Sequence, residues 1–535
     1  MKELHRILLA ATTGILLSAG WYEWGTGLLL LVAFIPLLLV EDDLTRFGEV
    51  KNARKVYLYA VLAIFIWNVI TTWWIKNASL VGLVAAVVVS TLYMSLAVYL
   101  YSYIKSRFGR LKGYVSFIIL WLALEFAYNH GEISWPWLTL GNGFMFSLRF
   151  IQWYDVTGVL GGSLWILLSN VLLYEIWRRL MKGETLKKLR TSVIIASSVV
   201  VLPVMVSVIL YYTYHEVENP HEIVVVQPNI DPYMKFNDIP SFEQTRIQVN
   251  LAASSLTDST DYVVCPETSI TNNIWIGFFD QVEDLVFVRS FVSYHPRIKY
   301  VVGIMCRQLY TEAERTETAV PMDNTGYYWD SFNSAIQIDT TPEVPIYHKS
   351  KLVTGVEKMP YTWLFKPLKK LTIRLGGIFR SHGTQKNRAV FTSATDGIKI
   401  APVICYESVF GYFVGDYIKL GANYIFVITN DGWWGDTPGY RQHNAISSLR
   451  AIETRRSIAR SANTGISSFI NQRGDVLQKL GWWERGAIRG SINANDKLTF
   501  YVKHGDYIGR SAFYLGIVLV FMLLLSSVLT IPGKR

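Results

Sequence analysis

Eight near-continuous apolar runs constrain this chain more than any other feature. They fall at 7–19, 26–40, 56–74, 80–101, 114–127, 159–176, 191–212 and 508–529. A helix needs roughly 20 apolar residues to cross a hydrocarbon layer of ~30 Å, so the runs predict a multi-pass α-helical membrane domain of about eight spans, the first and fifth being short. The stretch 213–507 holds no such run. Three segments follow: seven spans over 1–212, a separate domain over 213–507, and a last helix with its tail over 508–535. Lys2 and Arg6 precede the first run much as in a signal peptide. A second run follows at once, however, with no small-x-small cleavage site between them, so the segment reads as a retained helix.

Lysine and arginine stay on the cytoplasmic side of short loops, and here they alternate. Arg46, Lys51, Arg54 and Lys55 lie between the second and third runs, and Lys105, Arg107, Arg110 and Lys112 between the fourth and fifth. Arg178, Arg179, Lys182, Lys187, Lys188 and Arg190 lie between the sixth and seventh, whereas the intervening connections hold only Lys76 and Arg149. The expected register has the N-terminus inside, residues 213–507 on the outer face, and Lys534 and Arg535 inside. The net charge of +10 is mostly this bias, so it argues for a membrane-embedded protein and against a nucleic-acid partner. Many of the 18 tryptophans and 31 tyrosines sit at the ends of the runs, where an interfacial aromatic belt would lie. Three cysteines cannot all pair within one chain, and with no CxxC and no zinc spacing among nine histidines, neither metal nor cofactor is expected.

Over 213–507 the pattern becomes short β-rich segments separated by helical ones. Expected strands cover 223–227, 262–265, 300–305, 334–339, 398–405, 424–429, 467–470 and 487–492; expected helices cover 242–255, 282–294, 409–420 and 442–459. This alternation predicts an α/β sandwich. Polar residues follow several strands at once, where open α/β sheets place their sites. DYVVC runs into Pro266, Glu267 and Thr268; KIAPVI runs into Cys405, Tyr406 and Glu407; NYIFVI runs into Thr429, Asn430, Asp431, Gly432, Trp433 and Trp434. The loop-like YHKSKLVTGVEKMP adds Tyr347, Lys349 and Glu357. A thiol needs a base to become a good nucleophile, and a tetrahedral intermediate needs a donor at its oxyanion. Glu267, Lys349 and Cys405 supply those three parts.

The motifs CPETSI, YHKSKLV…GVE, VICYESVFG and TNDGWWGDTPGYRQH resemble the carbon–nitrogen hydrolase (nitrilase) superfamily, whose triad is Glu–Lys–Cys in that order. With the spans around them they resemble its membrane-embedded branch, the apolipoprotein N-acyltransferase family, over essentially the whole chain. The resemblance implies an inserted extracytoplasmic nitrilase-like αββα sandwich in a bacterial inner membrane, on the periplasmic side. It also implies acyl transfer from a phospholipid donor, through a Cys405 thioester, to the N-terminal amine of a diacylglyceryl-modified apolipoprotein, by a monomer. In that scheme Glu267 is the base, Lys349 the oxyanion stabiliser and Cys405 the nucleophile, with Glu357, Tyr406 and Glu407 in support. Two departures stand out. Thr354 and Val356 replace a proline and a glycine of LVPFGE, and Phe236 stands where a tryptophan is common.

Phe236, Trp433, Trp434 and Trp363 are candidate lipid contacts. Glu407 is also a candidate helix cap, and the two tryptophans at 433–434 are equally candidate core aromatics. Cys265 and Cys306 read as core thiols. The aromatic and basic segment 358–380 reads as an amphipathic arm, with Gly376 and Gly377 as its hinge. Two other functions fit the same residues: a membrane-anchored amidase hydrolysing a small amide, and a non-catalytic lipid binder. Eight spans weigh against the first, and an intact triad against the second.

Overall fold

The computed structural model describes residues 1–45, 52–358 and 381–529. These divide into two compact units: Met1–Trp73, Leu83–Thr213 and the segment from His504 onward form one, and Trp74–Gly82 with Tyr214–Lys503 the other.

The second unit contains two facing sheets. Its strands are β1 (Pro220–Gln227), β2 (Thr260–Val264), β3 (Ile270–Trp275), β4 (Lys299–Tyr310), β5 (Val320–Pro321), β6 (Tyr328–Ile338), β7 (Ile346–His348), β8 (Phe391–Thr392), β9 (Lys399–Ile404), β10 (Tyr424–Thr429), β11 (Ile458–Ala462), β12 (Ser467–Ile470), β13 (Val476–Leu480) and β14 (Gly486–Asn493). One sheet runs β14-β1-β2-β4-β6-β5, with β3 on β4 and β7 on β6; the other runs β13-β12-β11-β10-β9-β8. The strands β1, β2 and β4 are mutually parallel, as are β9, β10 and β11. Parallel strands covered on both faces carry apolar runs, as YVV within β2 and YIFVI within β10 do. The sheets meet where Tyr262 sets its ring edge-on to Phe426 at 5.2 Å and Ser461 Oγ donates to the Val226 carbonyl at 2.7 Å. The helices Ser241–Ala253 and Glu283–Tyr294 cover the first sheet through Val249, Ala252, Leu285, Val288 and Val292. Gly411–Lys419 and Pro438–Thr454 lie on the second, giving the αββα order.

Two of the boundaries that differ from expectation fall where a residue takes a left-handed backbone. The strand expected through 405 stops at Ile404 because Cys405 adopts φ +50°, and the helix expected through 459 stops at Thr454 because Arg455 adopts φ +49°. The freed residues Ile458–Ala462 become β11.

Seven helices among the described residues, wholly or mostly in the first unit, are long and apolar enough to cross a membrane: Glu3–Trp21, Ala53–Asn77, Leu80–Phe108, Arg110–His130, Val159–Met181, Leu186–Thr213 and Tyr507–Leu525. The eighth expected span, at 26–40, is a correction. It folds as a 3₁₀ segment, Gly27–Val32, followed by a ten-residue helix, Ile35–Leu44. Pro36 begins that helix and has no N–H to carry the ladder upstream, so the run breaks before it. Asn170 repairs the break: its Nδ2 donates to the Leu30 carbonyl and its Oδ1 accepts from Phe34 N–H, both at 2.7 Å. Irregular backbone at membrane depth is tolerated only with such partners. Replacing Asn170 by leucine orphans both groups, at about 1–3 kcal/mol each. The expected result is a clear fall in the melting temperature of the detergent-solubilised protein, with Asn170→Gln less damaging.

Candidate active site

Glu267 is carried three residues beyond β2 on a turn that touches β4. Gly303 has no room for a side chain there, since a Cβ would lie 2.7 Å from Glu267 Cα. The carboxylate is held at both oxygens. Oε1 accepts from Asn333 Nδ2 at 2.7 Å and Lys349 Nζ at 3.0 Å, and Oε2 accepts from Asn430 N–H at 3.1 Å. Lys235, fully buried, donates from Nζ to the Glu267 carbonyl at 2.9 Å and to Thr268 Oγ at 3.1 Å. Burial lowers its pKa to about 7, against the opposing pull of Glu267.

Lys349 follows β7 and is 1% exposed. Its ammonium lies between two carboxylates, Glu267 Oε1 at 3.0 Å and Glu357 Oε1 at 2.8 Å. Burial works against the charge, but Glu267, Glu357 and Cys405 together raise its pKa well above the ordinary lysine value. Burial likewise opposes the Glu357 charge, and Lys349 outweighs it, so that carboxyl is held low. The Thr354 and Val356 departures do not unseat Glu357. The loop's glycine comes one residue earlier, at Gly355, and takes φ +86°; Glu357 N–H then donates to the Val353 carbonyl while Glu357 Oε2 accepts from Val353 N–H, both at 2.8 Å.

Cys405 opens a 3₁₀ turn, Cys405–Val409, directly after β9. Its thiol is pushed up strongly by burial and by the nearby Glu267, with Lys349 pulling the other way, so at rest it is protonated. Glu407 ties this turn to the lysine loop. Its Oε2 accepts from Ile404 N–H at 2.9 Å, and its Oε1 from Tyr347 Oη and Ser350 N–H at 2.7 Å each. It therefore both caps the turn and supports the site. Burial raises its carboxyl, against these donors. Tyr406 is buried, with its ring edge-on to Phe410 at 5.2 Å.

Behind Cys405 lies a buried polar row that its motif did not announce. His443 Nε2 donates to the Cys405 carbonyl at 3.2 Å, while its Nδ1 lies 2.9 Å from Asp431 Oδ1. Arg460 donates to Asp431 Oδ2 at 2.7 Å. Burial opposes the Asp431 charge, and Arg460 and His443 keep the carboxyl low.

The structure thus brings together Glu267, Lys349, Glu357, Cys405 and Glu407. The lipid candidates divide. Phe236 is 46% exposed; Trp433 is half-buried against Tyr233 at 5.3 Å; Trp434 is set between Trp74 at 4.8 Å and His443 at 5.4 Å. Trp363, with most of the arm and its glycine hinge, lies outside the described residues. Cys265 and Cys306 are free and buried, with hydroxyl neighbours Tyr300 at 3.0 Å and Ser334 at 3.1 Å. Asn333, Lys235, His443 and Arg460 escaped the sequence reading. Only Asn430 and Asp431 carried a signal, by following a strand directly.

The carbon–nitrogen hydrolase family profile matches residues 223–496, just over half of the chain. The profile for an apolipoprotein N-acyltransferase N-terminal domain matches 13–172. The chain is 28% identical to an apolipoprotein N-acyltransferase of Chlorobaculum tepidum, over 89% of this chain and 88% of that one. It is 28% identical to one of Geobacter metallireducens, over 93% and 91%. Among solved structures, an amidase from Nesterenkonia sp. is 15% identical with a TM-score of 0.36, covering 54% of this chain and 95% of the amidase.

The two carboxylates around Lys349 generate a stability prediction. Lys349→Met leaves Glu267 and Glu357 facing each other with no cation between them, at a cost of about 3–5 kcal/mol. Thermal unfolding is expected to shift down by a corresponding amount, and adding Glu357→Gln to recover part of the loss. A Lys349→Met protein as stable as wild type would contradict this account.

Proposed function

The chain belongs to the carbon–nitrogen hydrolase family, and from that premise we propose that it is an apolipoprotein N-acyltransferase working through a Cys405 thioester. The observation that carries the reading is the union in one chain of the N-acyltransferase N-terminal domain, spans long enough to cross a bilayer, and the hydrolase domain. An amidase acting on a small soluble amide has no need of the first two, and relatives bearing the N-acyltransferase name span about nine-tenths of the chain.

The chemistry follows from the charges. Cys405 rests as a thiol, so attack requires a base, and Glu267 takes the proton as sulfur adds to the ester carbonyl of a phospholipid. The new oxyanion is met by the Lys349 ammonium, whose charge Glu357 helps maintain. Collapse breaks the acyl–oxygen bond, and the leaving glyceryl oxygen takes the proton back from Glu267 as lysophospholipid departs. The α-amine of a diacylglyceryl-cysteine then attacks the thioester, Glu267 removes an amine proton, and the Cys405 thiolate leaves and recovers it. The two half-reactions use one base in both directions, which implies ping-pong kinetics. All three residues come from one chain, in keeping with a monomer. The lysine and arginine bias of the loops supports a cytoplasmic membrane with the hydrolase domain on its outer, periplasmic face.

Incubation with phospholipid vesicles alone is expected to add one acyl chain to the intact mass, removable by hydroxylamine. Cys405→Ala and Glu267→Gln should abolish the adduct, and Lys349→Ala should slow it by roughly 10²–10³. Wild-type protein that gains no mass but turns over small amides would sink the proposal.

A further inference from the structure

The carbonyl of Cys405 is reached by a continuous stack of side chains that begins outside the hydrolase profile. Trp74, in the 3₁₀ segment Trp73–Asn77, is 1% exposed and belongs to the same compact unit as the site. Its ring lies 4.8 Å from that of Trp434. Trp434 in turn lies 5.4 Å from the His443 ring, at 66°, and His443 Nε2 donates to the Cys405 carbonyl. Three details fit this stack closely. Asn77 Nδ2 donates to the Trp434 carbonyl at 2.7 Å. Gly435, at φ +67°, turns the chain where a Cβ would lie 2.9 Å from that same Nδ2. Gly439, in the first turn of the helix that carries His443, gives up its side chain to Trp74, whose ring would be 2.6 Å from a Cβ.

The stack matters because Cys405 is held in a conformation that a cysteine does not favour. A non-glycine residue at φ +50° costs of order 1–3 kcal/mol and persists only where its surroundings impose it. Ser408 Oγ, at 2.8 Å, and His443 hold the carbonyl side of that residue, and Glu407 the N–H before it. His443 is steered by Asp431 on one nitrogen and packed by Trp434 on a ring edge. We propose that Trp74 and Asn77 are positioning residues for the nucleophile, acting through Trp434 and His443 to hold Cys405 in its reactive conformation. A short segment outside the hydrolase profile thereby completes the hydrolase site.

The inference concerns the same site as the acyltransferase reading and rests on Cys405 being its nucleophile; its test is kept separate by using a readout that needs no lipid. The full-length protein in detergent is treated with iodoacetamide, and alkylation of the Cys405 peptide is followed by mass spectrometry, alongside thioester formation from phospholipid. Trp74→Ala is expected to slow both by roughly tenfold while the KM for phospholipid stays within about twofold, because geometry and not binding is lost. Trp74→Phe, which keeps a ring on Trp434, should restore most of the rate. Trp434→Ala should cost as much as Trp74→Ala, and the double variant no more than the larger single effect, as two links of one chain require. Asn77→Ala carries the same test by a smaller change if Trp74→Ala does not fold. Folded Trp74→Ala and Asn77→Ala proteins that alkylate at the wild-type rate, or multiplicative losses in the double variant, overturn the proposal. If alkylation falls as expected while wild-type protein forms no thioester from phospholipid, the acyl donor is wrong and the positioning role stands.

Discussion

A lysine ammonium sealed from water is tolerable only where carboxylates compensate it, and the geometry of the catalytic unit follows from that requirement at Lys349. Two carboxylates close on one nitrogen, Glu267 from the end of β2 and Glu357 from the loop after β7. Each is then fixed by further donors, Glu267 by Asn333 and Asn430, and Glu357 by the Val353 amide. Asn333 lies on β6 and Asn430 follows β10, so one buried cation ties together both sheets of the sandwich. The arrangement also separates roles. Glu267 adds to the charge environment raising the Cys405 thiol, while Glu357 faces the loop that carries the lysine.

In the membrane unit a neutral side chain meets a comparable demand made by the backbone. Where Pro36 interrupts the ladder, the side chain of Asn170 takes up one carbonyl and one N–H. Both units thus use polar side chains to satisfy irregular backbone: Asn170 at the broken span, and Glu407 and His443 around the Cys405 turn.

Much of this was legible in the sequence because it rests on local pattern. Continuous apolar runs marked the spans, and eight strand cores such as YIFVIT were readable from their β-branched content. Short or edge strands were not. β3, β5, β7, β8 and β13 are exposed, brief or set by partner strands, and β11 was hidden because RSIAR continues the helical composition past Arg455, where the backbone turns left-handed. The site divides likewise. Glu267, Lys349 and Cys405 stand in motifs at strand ends or in a loop, whereas Asn333 looks like an ordinary mid-strand residue and His443 like an ordinary helical one. Their meaning exists only once β6 and the helix Pro438–Thr454 are packed. Trp434 shows the limit most plainly, since its place beside the site suggested lipid and its partners are Trp74 and His443.

The resting chemistry explains why so many groups converge on backbone and so few on the thiol itself. Burial pushes the Cys405 thiol up, so in the proposed mechanism reactivity depends less on a standing thiolate than on how well sulfur, Glu267 and Lys349 are aligned when substrate arrives. Alignment of that kind is set by the main chain: Lys235 on the Glu267 carbonyl, Asn333's carbonyl on the Lys349 N–H at 2.8 Å, His443 and Ser408 on the Cys405 carbonyl. A membrane enzyme gains from this choice. A poised thiolate would react readily with any electrophile that reached it, whereas a protonated thiol on a left-handed turn reacts fastest with a carbonyl held against Glu267 and Lys349 together.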